Sequence, residues 1–117
     1  HIGNYVIIGG QSGIHQFCKI DDYSMIGGAS LILKDVAAFT MVSGNPAKVH
    51  GINKEGMRRK GWSGDTIKAL DEAYRVIFRS GMIRDQALAE LEKMLPIEPK
   101  VQLFIDSLKN SGRGLTR

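Results

Sequence analysis

Two short stretches of the chain carry side chains that could bind a polar or charged ligand. The first is His15-Gln16, an imidazole beside a carboxamide, and the second runs from Asn53 to Lys60 and holds an amide, a carboxylate and three consecutive cations. A guanidinium group can bind a phosphate or a carboxylate through two parallel hydrogen bonds. Cations at a helix end also occur simply because they complement the helix dipole. The second stretch therefore indicates either a phosphate-bearing or acidic partner or an ordinary solvated surface.

The charge of the chain is unevenly distributed, which bears on the same question. The 117 residues carry a net charge of +4. In residues 1–52 three lysines balance three aspartates, so the whole excess lies in residues 53–117. A nucleic-acid site would require a denser basic patch with interleaved aromatic side chains. We therefore expect no nucleic-acid partner.

The composition is that of an ordinary globular chain, with an apolar fraction of 43%. No apolar run approaches the ~18–20 residues of a membrane span, and no stretch resembles a secretory signal, so we expect no membrane span. The single cysteine, Cys18, excludes an internal disulfide and suits a reducing cytosol. We interpret it as a small packed apolar residue.

A six-residue repeat defines the scaffold that must position these side chains. Isoleucine recurs at every sixth position from Ile2 to Ile32, which fits neither the two-residue period of a strand nor the ~3.6-residue period of a helix. Such hexapeptide repeats are typical of a parallel β-helix, in which three hexads make one coil of a triangular prism. The position two before each following isoleucine suits a second inward side chain in a narrow prism, being small or β-branched: Val6, Ser12, Cys18, Ser24, Ser30 and Val36.

The repeat ends near residue 36 and the period then becomes helical. Residues 35–43 indicate a last, irregular strand, and residues 44–47 indicate a turn. We therefore divide the chain into the last coils of a β-helix with a terminal strand and turn, residues 1–52, and a helical C-terminal domain, residues 53–117. One short and three principal helices are expected, and their start signals in chain order are Asn53, Ser63, Asp85 and Pro99. The last helix should end at Gly112, with a flexible segment after Ser111.

Residues 2–36 amount to about two coils, fewer than a stacked repeat generally needs for a stable core. The chain also begins in the middle of the repeat, with His1 directly before Ile2. We therefore expect a C-terminal piece of a longer β-helical protein. Completion of the prism by neighbouring chains is the alternative.

Three segments carry a resemblance to a known family. The runs Ile7–Cys18, Gly51–Gly61 and Ser111–Leu115 resemble the acyl-carrier-protein–UDP-N-acetylglucosamine O-acyltransferases of lipid A synthesis, and the resemblance extends from Ile2 to Arg117. The hexad itself is shared by many transferases. The sequences His-Gln-Phe-Cys and Asn-x-Glu-Gly-x-x-Arg-(Arg/Lys)-Gly are far more specific.

The resemblance implies a cytoplasmic homotrimer of left-handed β-helices with active sites in clefts between subunits. There an (R)-3-hydroxyacyl chain passes from the phosphopantetheine of acyl carrier protein to the 3-hydroxyl of UDP-N-acetylglucosamine, without a cofactor bound to the enzyme itself. The family's general base is a histidine on an earlier coil, and His1 does not match it. We expect this chain by itself to be inactive.

The resemblance also implies roles for eight substrate-binding residues. His15 and Gln16 would point outward from the prism into the cleft, although a solvated imidazole is the alternative. Gly10 and Gly28 would leave room in the acyl groove, so that Gly28 permits a long chain; a corner glycine with φ > 0 would look the same in sequence.

The remaining four match positions that contact the nucleotide: Asn53, Glu55, Arg59 and Lys60. An amide and a carboxylate can bind the uracil and ribose, and a guanidinium can bind the diphosphate. Lys60 stands where a second arginine is common, and Pro46 replaces a histidine, which puts a sugar contact there in doubt.

The basic C-terminal part would dock the acidic carrier protein, with Arg75, Arg79 and Arg84 as unassigned candidates. Three alternatives remain: an N-acyltransferase of the same pathway, a metal-dependent β-helix hydratase, and a non-catalytic trimerising scaffold. A metal site would require stacked ligands, and His1 and His15 are fourteen residues apart rather than the eighteen of one coil.

Overall fold

The computed structural model describes residues 1–111 and 114–117. The elements are, in chain order, β1 (Ile7–Ile8), β2 (Gly13–Ile14), β3 (Met25–Ile26), β4 (Leu31–Ile32), β5 (Thr40–Gly44), β6 (Ala47–Ile52), α1 (Lys54–Arg59), α2 (Gly64–Phe78), α3 (Arg84–Met94) and α4 (Val101–Asn110). Among the described residues no helix is both long enough and apolar enough to cross a membrane.

The first 36 residues form the triangular prism that the hexad predicts. Ile8 pairs with Ile26 on the face formed by β1, β3 and β5, and Ile14 pairs with Ile32 on the face formed by β2 and β4. An isolated parallel bridge between Ile2 and Ile20 completes the third face. Each of these pairs is 18 residues apart, which confirms three hexads per coil.

The inward isoleucines are buried to different extents in the two coils. Ile20, Ile26 and Ile32 have no exposed surface, because the chain covers them on both sides. Their counterparts one coil earlier are 56%, 38% and 37% exposed: Ile2, Ile8 and Ile14. A parallel β-helix buries a side chain only between neighbouring coils, so the column becomes more exposed toward the first coil.

The repeat ends two residues earlier than its register predicts. Met25 pairs with Met41 and Ile20 bridges to Val36, which are separations of 16 rather than 18 residues. The assignment of Val36 to the small inward positions was therefore wrong, because Val36 lies below Ile20 in the isoleucine column. It is nonetheless fully buried.

The corners of the prism are not made by glycine. Five residues at six-residue spacing have φ between 55° and 70°: Tyr5, Gln11, Phe17, Tyr23 and Ala29. The left-handed conformation costs an L-residue roughly 1–2 kcal/mol, which the stacked coils must offset. Gly28 does not have a positive φ, so the interpretation of it as a left-handed corner glycine was wrong. Gly9 is required for another reason: an added Cβ would lie 2.7 Å from the Cα of Gly28 in the next coil.

The predicted turn at residues 44–47 joins two strands rather than a strand and a helix. β5 and β6 form an antiparallel hairpin, with a cis peptide bond between Asn45 and Pro46. The sequence reasoning missed β6, whose side chains alternate between half-buried and exposed up to Ile52. This hairpin carries the chain from the prism to Asn53.

The helical part begins as predicted at Asn53 and Ser63, whose side chains accept hydrogen bonds from the N–H groups of Gly56 and Thr66. α3 begins one residue before Asp85. Pro99 lies two residues before α4 rather than in its first turn. Gly112, the predicted end of α4, lies outside the described residues.

The helical part has a large apolar core and is hydrogen-bonded to the prism through α4. Ser107 Oγ donates to Asp21 Oδ2 (2.6 Å) and accepts from the N–H of Ala38 (3.0 Å). Lys19 Nζ donates to the carbonyl of Asn110 at the end of α4 (2.7 Å). These bonds fix the orientation of the helices relative to the prism corners.

Candidate functional site

The second candidate stretch of the sequence, residues 53–60, lies against a prism corner, where it lines a cavity of about 410 Å³. We call this the aromatic cavity. The cavity is lined on the prism side by Tyr5 and Tyr23, and on the helical side by Asn53, Arg59, Lys60 and Trp62. A volume of this size is within the usual range for a small-molecule site.

The wall of the aromatic cavity is a column of stacked rings at one prism corner. Tyr5 and Tyr23 are parallel, with ring centroids 5.0 Å apart, and Tyr23 stacks on Phe39 at 5.6 Å. Trp62 meets Tyr23 edge to face at 4.9 Å. Tyr5 and Tyr23 occupy equivalent corners of successive coils, so the stacking follows from the coil geometry itself.

Lys60 lies on the exposed end of this column. Its Nζ is 3.7 Å from the ring centroid of Tyr5 and 5.3 Å from that of Tyr23. Such a cation–π contact contributes roughly 0.5–1 kcal/mol at an exposed site. The ammonium is therefore held beside the mouth of the cavity rather than extended into solvent.

Arg59 is paired with Glu55 one turn earlier in α1. The Nε of Arg59 donates to Glu55 Oε1 at 3.3 Å, and Arg58 Nη1 lies 3.8 Å from Glu55 Oε2. All three side chains are largely exposed, and pairs of this kind contribute roughly 0–1 kcal/mol. Arg59 lines the cavity, whereas Arg58 does not.

Asn53 has a structural role in addition to its position on the cavity. Its Oδ1 accepts from the N–H of Gly56 at 3.1 Å and so caps α1. A side chain at position 56 would collide with the Asn53 amide, since an added Cβ would lie 2.6 Å from Nδ2. The glycine of this motif thus makes room for the asparagine.

Tyr23 stays neutral in this environment. Burial raises the pKa of its hydroxyl, and the neighbouring Tyr5 and Asp22 raise that pKa further. The hydroxyl is therefore a hydrogen-bond donor at neutral pH.

Glu55 and the other four predicted residues do not line the aromatic cavity. His15 and Gln16 are both exposed, as expected, and His15 Nδ1 lies 3.1 Å from the carbonyl oxygen of Gln16. Gly10 and Gly28 stack at another corner, where the N–H of Ala29 donates to the carbonyl of Gly10. Within this single chain the eight residues form three separate groups.

The sequence reasoning missed the aromatic wall. Tyr5 and Tyr23 are 18 residues apart, one full coil, and that spacing could have identified them as stacked neighbours. Trp62 follows directly after the motif ending in Gly61, but its contact with the prism depends on how α1 folds back. No local pattern in the sequence specifies that orientation.

The fold and this cavity define the class of the protein: a hexapeptide-repeat β-helix protein with a C-terminal helical part, whose basic motif faces a prism corner. Comparison with known proteins gives the particular family. The family model described as UDP N-acetylglucosamine O-acyltransferase, Domain 2, matches residues 35–116. The chain belongs to this family, and its prism is of the left-handed kind that the resemblance implied.

Individual relatives agree with this assignment. The acyl-[acyl-carrier-protein]–UDP-N-acetylglucosamine O-acyltransferase of Psychrobacter arcticus is 66% identical over 90 residues, covering 76% of this chain and 35% of the relative. The solved structure of UDP-N-acetylglucosamine O-acyltransferase (LpxA) from Moraxella catarrhalis matches with a TM-score of 0.99 and 76% identity, and covers all of this chain and 46% of that one. LpxA from Acinetobacter baumannii matches with a TM-score of 0.97 and 64% identity over the same shares. The chain spans less than half the length of these relatives.

Proposed function

We propose that this chain is the C-terminal part of an O-acyltransferase. The whole protein would move an (R)-3-hydroxyacyl chain from acyl carrier protein to the 3-hydroxyl of UDP-N-acetylglucosamine, the first step of lipid A biosynthesis. The relatives are named for acyl carrier protein and UDP-N-acetylglucosamine, which supports these substrates. The observation that carries the proposal is the convergence of Asn53, Arg59 and Lys60 on one cavity with an aromatic wall.

The cavity has the chemistry to bind the nucleotide. The amide of Asn53, on the cavity, and the carboxylate of Glu55, which is on α1 but does not line the cavity, can hydrogen-bond uracil and ribose. Arg59 and Lys60 line the cavity and can neutralise a diphosphate. Arg59 can do so while its Nε stays on Glu55, because the donors of both its Nη groups are left over. The exposed ion pair contributes little, so its loss would also have a small free-energy cost.

The transfer step needs a base that we do not assign to this chain. The 3-hydroxyl oxygen of the sugar would attack the thioester carbonyl as the base takes its proton. The C–S bond then breaks and the carrier thiol leaves with a proton. We propose that the base is a histidine on a coil N-terminal to these residues in the whole protein. This chain alone would then bind the nucleotide without catalysing transfer.

The space at Gly10 and Gly28 supports a long acyl chain. An added Cβ at Gly10 would meet no atom of the described residues within 4 Å, and one at Gly28 would lie 3.4 Å from the carbonyl oxygen of Gly10. Because neither glycine has a positive φ, neither is required by backbone conformation. We propose that they keep the acyl groove open.

Apolar side chains on the outside of the prism support self-association into a homotrimer. Ile7, Met25 and Met41 stack in one outward row on the face formed by β1, β3 and β5. Phe17 extends from the corner next to His15 and Gln16 and is exposed. A neighbouring subunit packed on these rows would bring His15 and Gln16 into a shared cleft.

The acyl carrier protein would dock on the basic helical part. In the structure Arg75 is paired with Asp71 at 3.3 Å, and Arg79 donates to the hydroxyl of Tyr74 at 3.2 Å. Both cations lie at the surface of α2 or at its end.

We propose a cytoplasmic location, which the single cysteine favours.

Calorimetric titration with UDP-N-acetylglucosamine tests the nucleotide site, with the oligomeric state followed by light scattering. We expect saturable binding, and Arg59→Ala should weaken it by about 1–3 kcal/mol, which is roughly 5- to 150-fold. Arg58→Ala is the matched control, since Arg58 contacts the same glutamate but does not line the cavity. That variant should bind within about twofold of the parent chain.

Two results would contradict the proposal. Absence of saturable binding by a trimeric sample would favour the non-catalytic trimerising scaffold. Equal losses in Arg58→Ala and Arg59→Ala would show that general positive charge, rather than a diphosphate contact, attracts the nucleotide.

A further inference from the structure

A second and larger cavity lies on a different part of the molecule. It has a volume of about 580 Å³ and is formed where the end of β4, the β5–β6 hairpin turn, the start of α3, the end of α4 and the C-terminal residues meet. We call it the basic groove. It shares no lining residue with the aromatic cavity.

The groove collects uncompensated positive charge. Its described lining includes Lys34, Lys48, Arg84 and Arg117 and contains no carboxylate side chain. None of the four forms an ion pair with any residue that the structure describes. The ion pairs of the described part all lie elsewhere, for example between Arg59 and Glu55.

These cations differ in how free they are to bind a ligand. Arg84 Nη2 donates to the carbonyl of Lys109 at 2.8 Å, and Arg117 Nη1 donates to that of Ile77 at 3.2 Å, so both guanidinium groups are held in place with donors left over. The ammonium groups of Lys34 and Lys48 have no hydrogen-bond partner among the described residues. The Arg117 guanidinium also lies over the ring of Phe78, which does not line the groove. The like charges of Lys34, Lys48 and Arg84 around one depression repel one another, and a bound anion would relieve that repulsion.

The floor of the groove is apolar. Leu108 and Leu115 form it from below and are almost fully buried, while Leu33, Pro46 and Ala47 contribute apolar surface at the side. Leu33 is 45% exposed and is one of the lining residues. A simple anion would use the cations and leave the apolar surface uncovered.

We propose that the basic groove binds a small amphipathic anion, an apolar chain that ends in a carboxylate or a phosphate. The chain would cover the apolar surface of Leu33, Pro46 and Ala47, and the head group would lie among the lysine and arginine side chains. A volume of about 580 Å³ accommodates a ligand of this size. This inference is independent of the proposed nucleotide site, because it uses none of its residues.

Titration with dodecanoate and with dodecyl phosphate, each below its micelle concentration, tests the inference and distinguishes the two head groups. We expect saturable binding of at least one of them. Inorganic phosphate and dodecanol should each bind at least tenfold more weakly, since phosphate lacks the apolar chain and dodecanol lacks the anionic head group. Lys34→Glu combined with Lys48→Glu should weaken binding at least tenfold, because it reverses two charges at the rim.

Lys93→Glu is the matched control, since this exposed lysine of α3 is paired with Glu90 and does not line the groove. It should leave amphiphile affinity unchanged within about twofold, and all variants should retain the parent affinity for UDP-N-acetylglucosamine. Equal amphiphile affinity in the parent and the double variant would overturn the proposal, and would assign the binding to other apolar surface such as Ile2 and Ile8. Inorganic phosphate binding as tightly as dodecyl phosphate would overturn the amphipathic character of the site.

Discussion

In the prism an inward side chain is buried only where the chain covers it on both sides along the stack, whereas in the helical part the buried side chains are covered from several directions by α2, α3, α4 and β6. The prism core is accordingly a short column of aligned residues, with Ile26 and Ile32 at its most buried part. The helical core is a broad cluster around Leu91 and Phe104. The first coil of the column therefore leaves its inward side chains partly exposed, while the cluster buries its side chains on all sides.

The helical core should therefore show the largest loss when one side chain is truncated. Phe104 has no exposed surface and packs against Phe39 at a centroid distance of 5.1 Å. Phe104→Ala should lower the free energy of unfolding by about 3–5 kcal/mol, measured by urea denaturation. Ile97→Ala is the control, because Ile97 is 84% exposed, and it should change stability by less than about 0.5 kcal/mol.

The column predicts unequal losses for two isoleucines in the same register. Ile26→Ala should cost about 2–5 kcal/mol, because Ile26 is buried between coils. Ile8→Ala removes the same atoms from a site that remains partly exposed, and it should cost roughly half as much or less. Equal losses would mean that Ile8 is covered in solution, and the contrast between column and cluster would then fail.

The sequence predicted most of the inward positions of the prism, but not β6, the aromatic wall or the shortened last coil. The isoleucine period specifies the register because every inward position faces the same constraint, and the caps at Asn53 and Ser63 are local signals. The end of the prism was harder to predict. Val36 follows the small-position register in sequence but joins the isoleucine column two residues early, because the chain shortens its last coil before β5.

In the candidate site, too, the local motif was predicted and the long-range contacts were not. The motif from Asn53 to Lys60 was found from residue types and the family resemblance, and three of its four predicted residues line the aromatic cavity. Its aromatic wall depends on a long-range fold-back that places Trp62 against Tyr23. Arg59, predicted to bind the diphosphate, is paired with Glu55 in this structure, since the two lie four residues apart on one helix face.

Gly9 and Gly10 are adjacent in sequence, but Gly9 contacts the next coil and Gly10 faces open space. Gly9→Ala would place a methyl group against the backbone of Gly28 in the next coil, which cannot move without breaking the stack. We expect a loss of about 1–3 kcal/mol in thermal or urea unfolding. Gly10→Ala would meet no atom of the described residues within 4 Å and should stay within about 0.5 kcal/mol of the parent. Similar losses in both variants would show that the coils are less tightly stacked than the structure indicates.

The smallest expected effect is the pH dependence of stability that two carboxylates, Asp21 and Glu98, produce. The direction of this dependence is what distinguishes them. Asp21 lies at a prism corner against α4, where burial raises the pKa of its carboxyl; Asp35 and Asp22 raise that pKa further, and the hydrogen bond from Ser107 opposes them. Burial also raises the pKa of Glu98, but hydrogen bonds from Thr66 Oγ1 and the N–H of Lys100, together with the Lys100 charge, outweigh it, so that this pKa is lowered.

The two carboxyls therefore make stability depend on pH in opposite directions. A raised pKa in the folded state means that the contribution of Asp21 is fully present below its ordinary pKa of 3.8 and is lost as pH rises through the folded value. A lowered pKa means that the contribution of Glu98 is present above its ordinary 4.5 and is lost as pH falls through the folded value. Asp21→Asn should thus gain stability relative to the parent between pH 4 and pH 7, while Glu98→Gln should lose stability relative to the parent over the same interval. Melting temperatures measured at both pH values check these signs. A change of the same sign in the two variants would contradict this prediction. It would show that the folded state shifts the pKa of Asp21 and of Glu98 in the same direction.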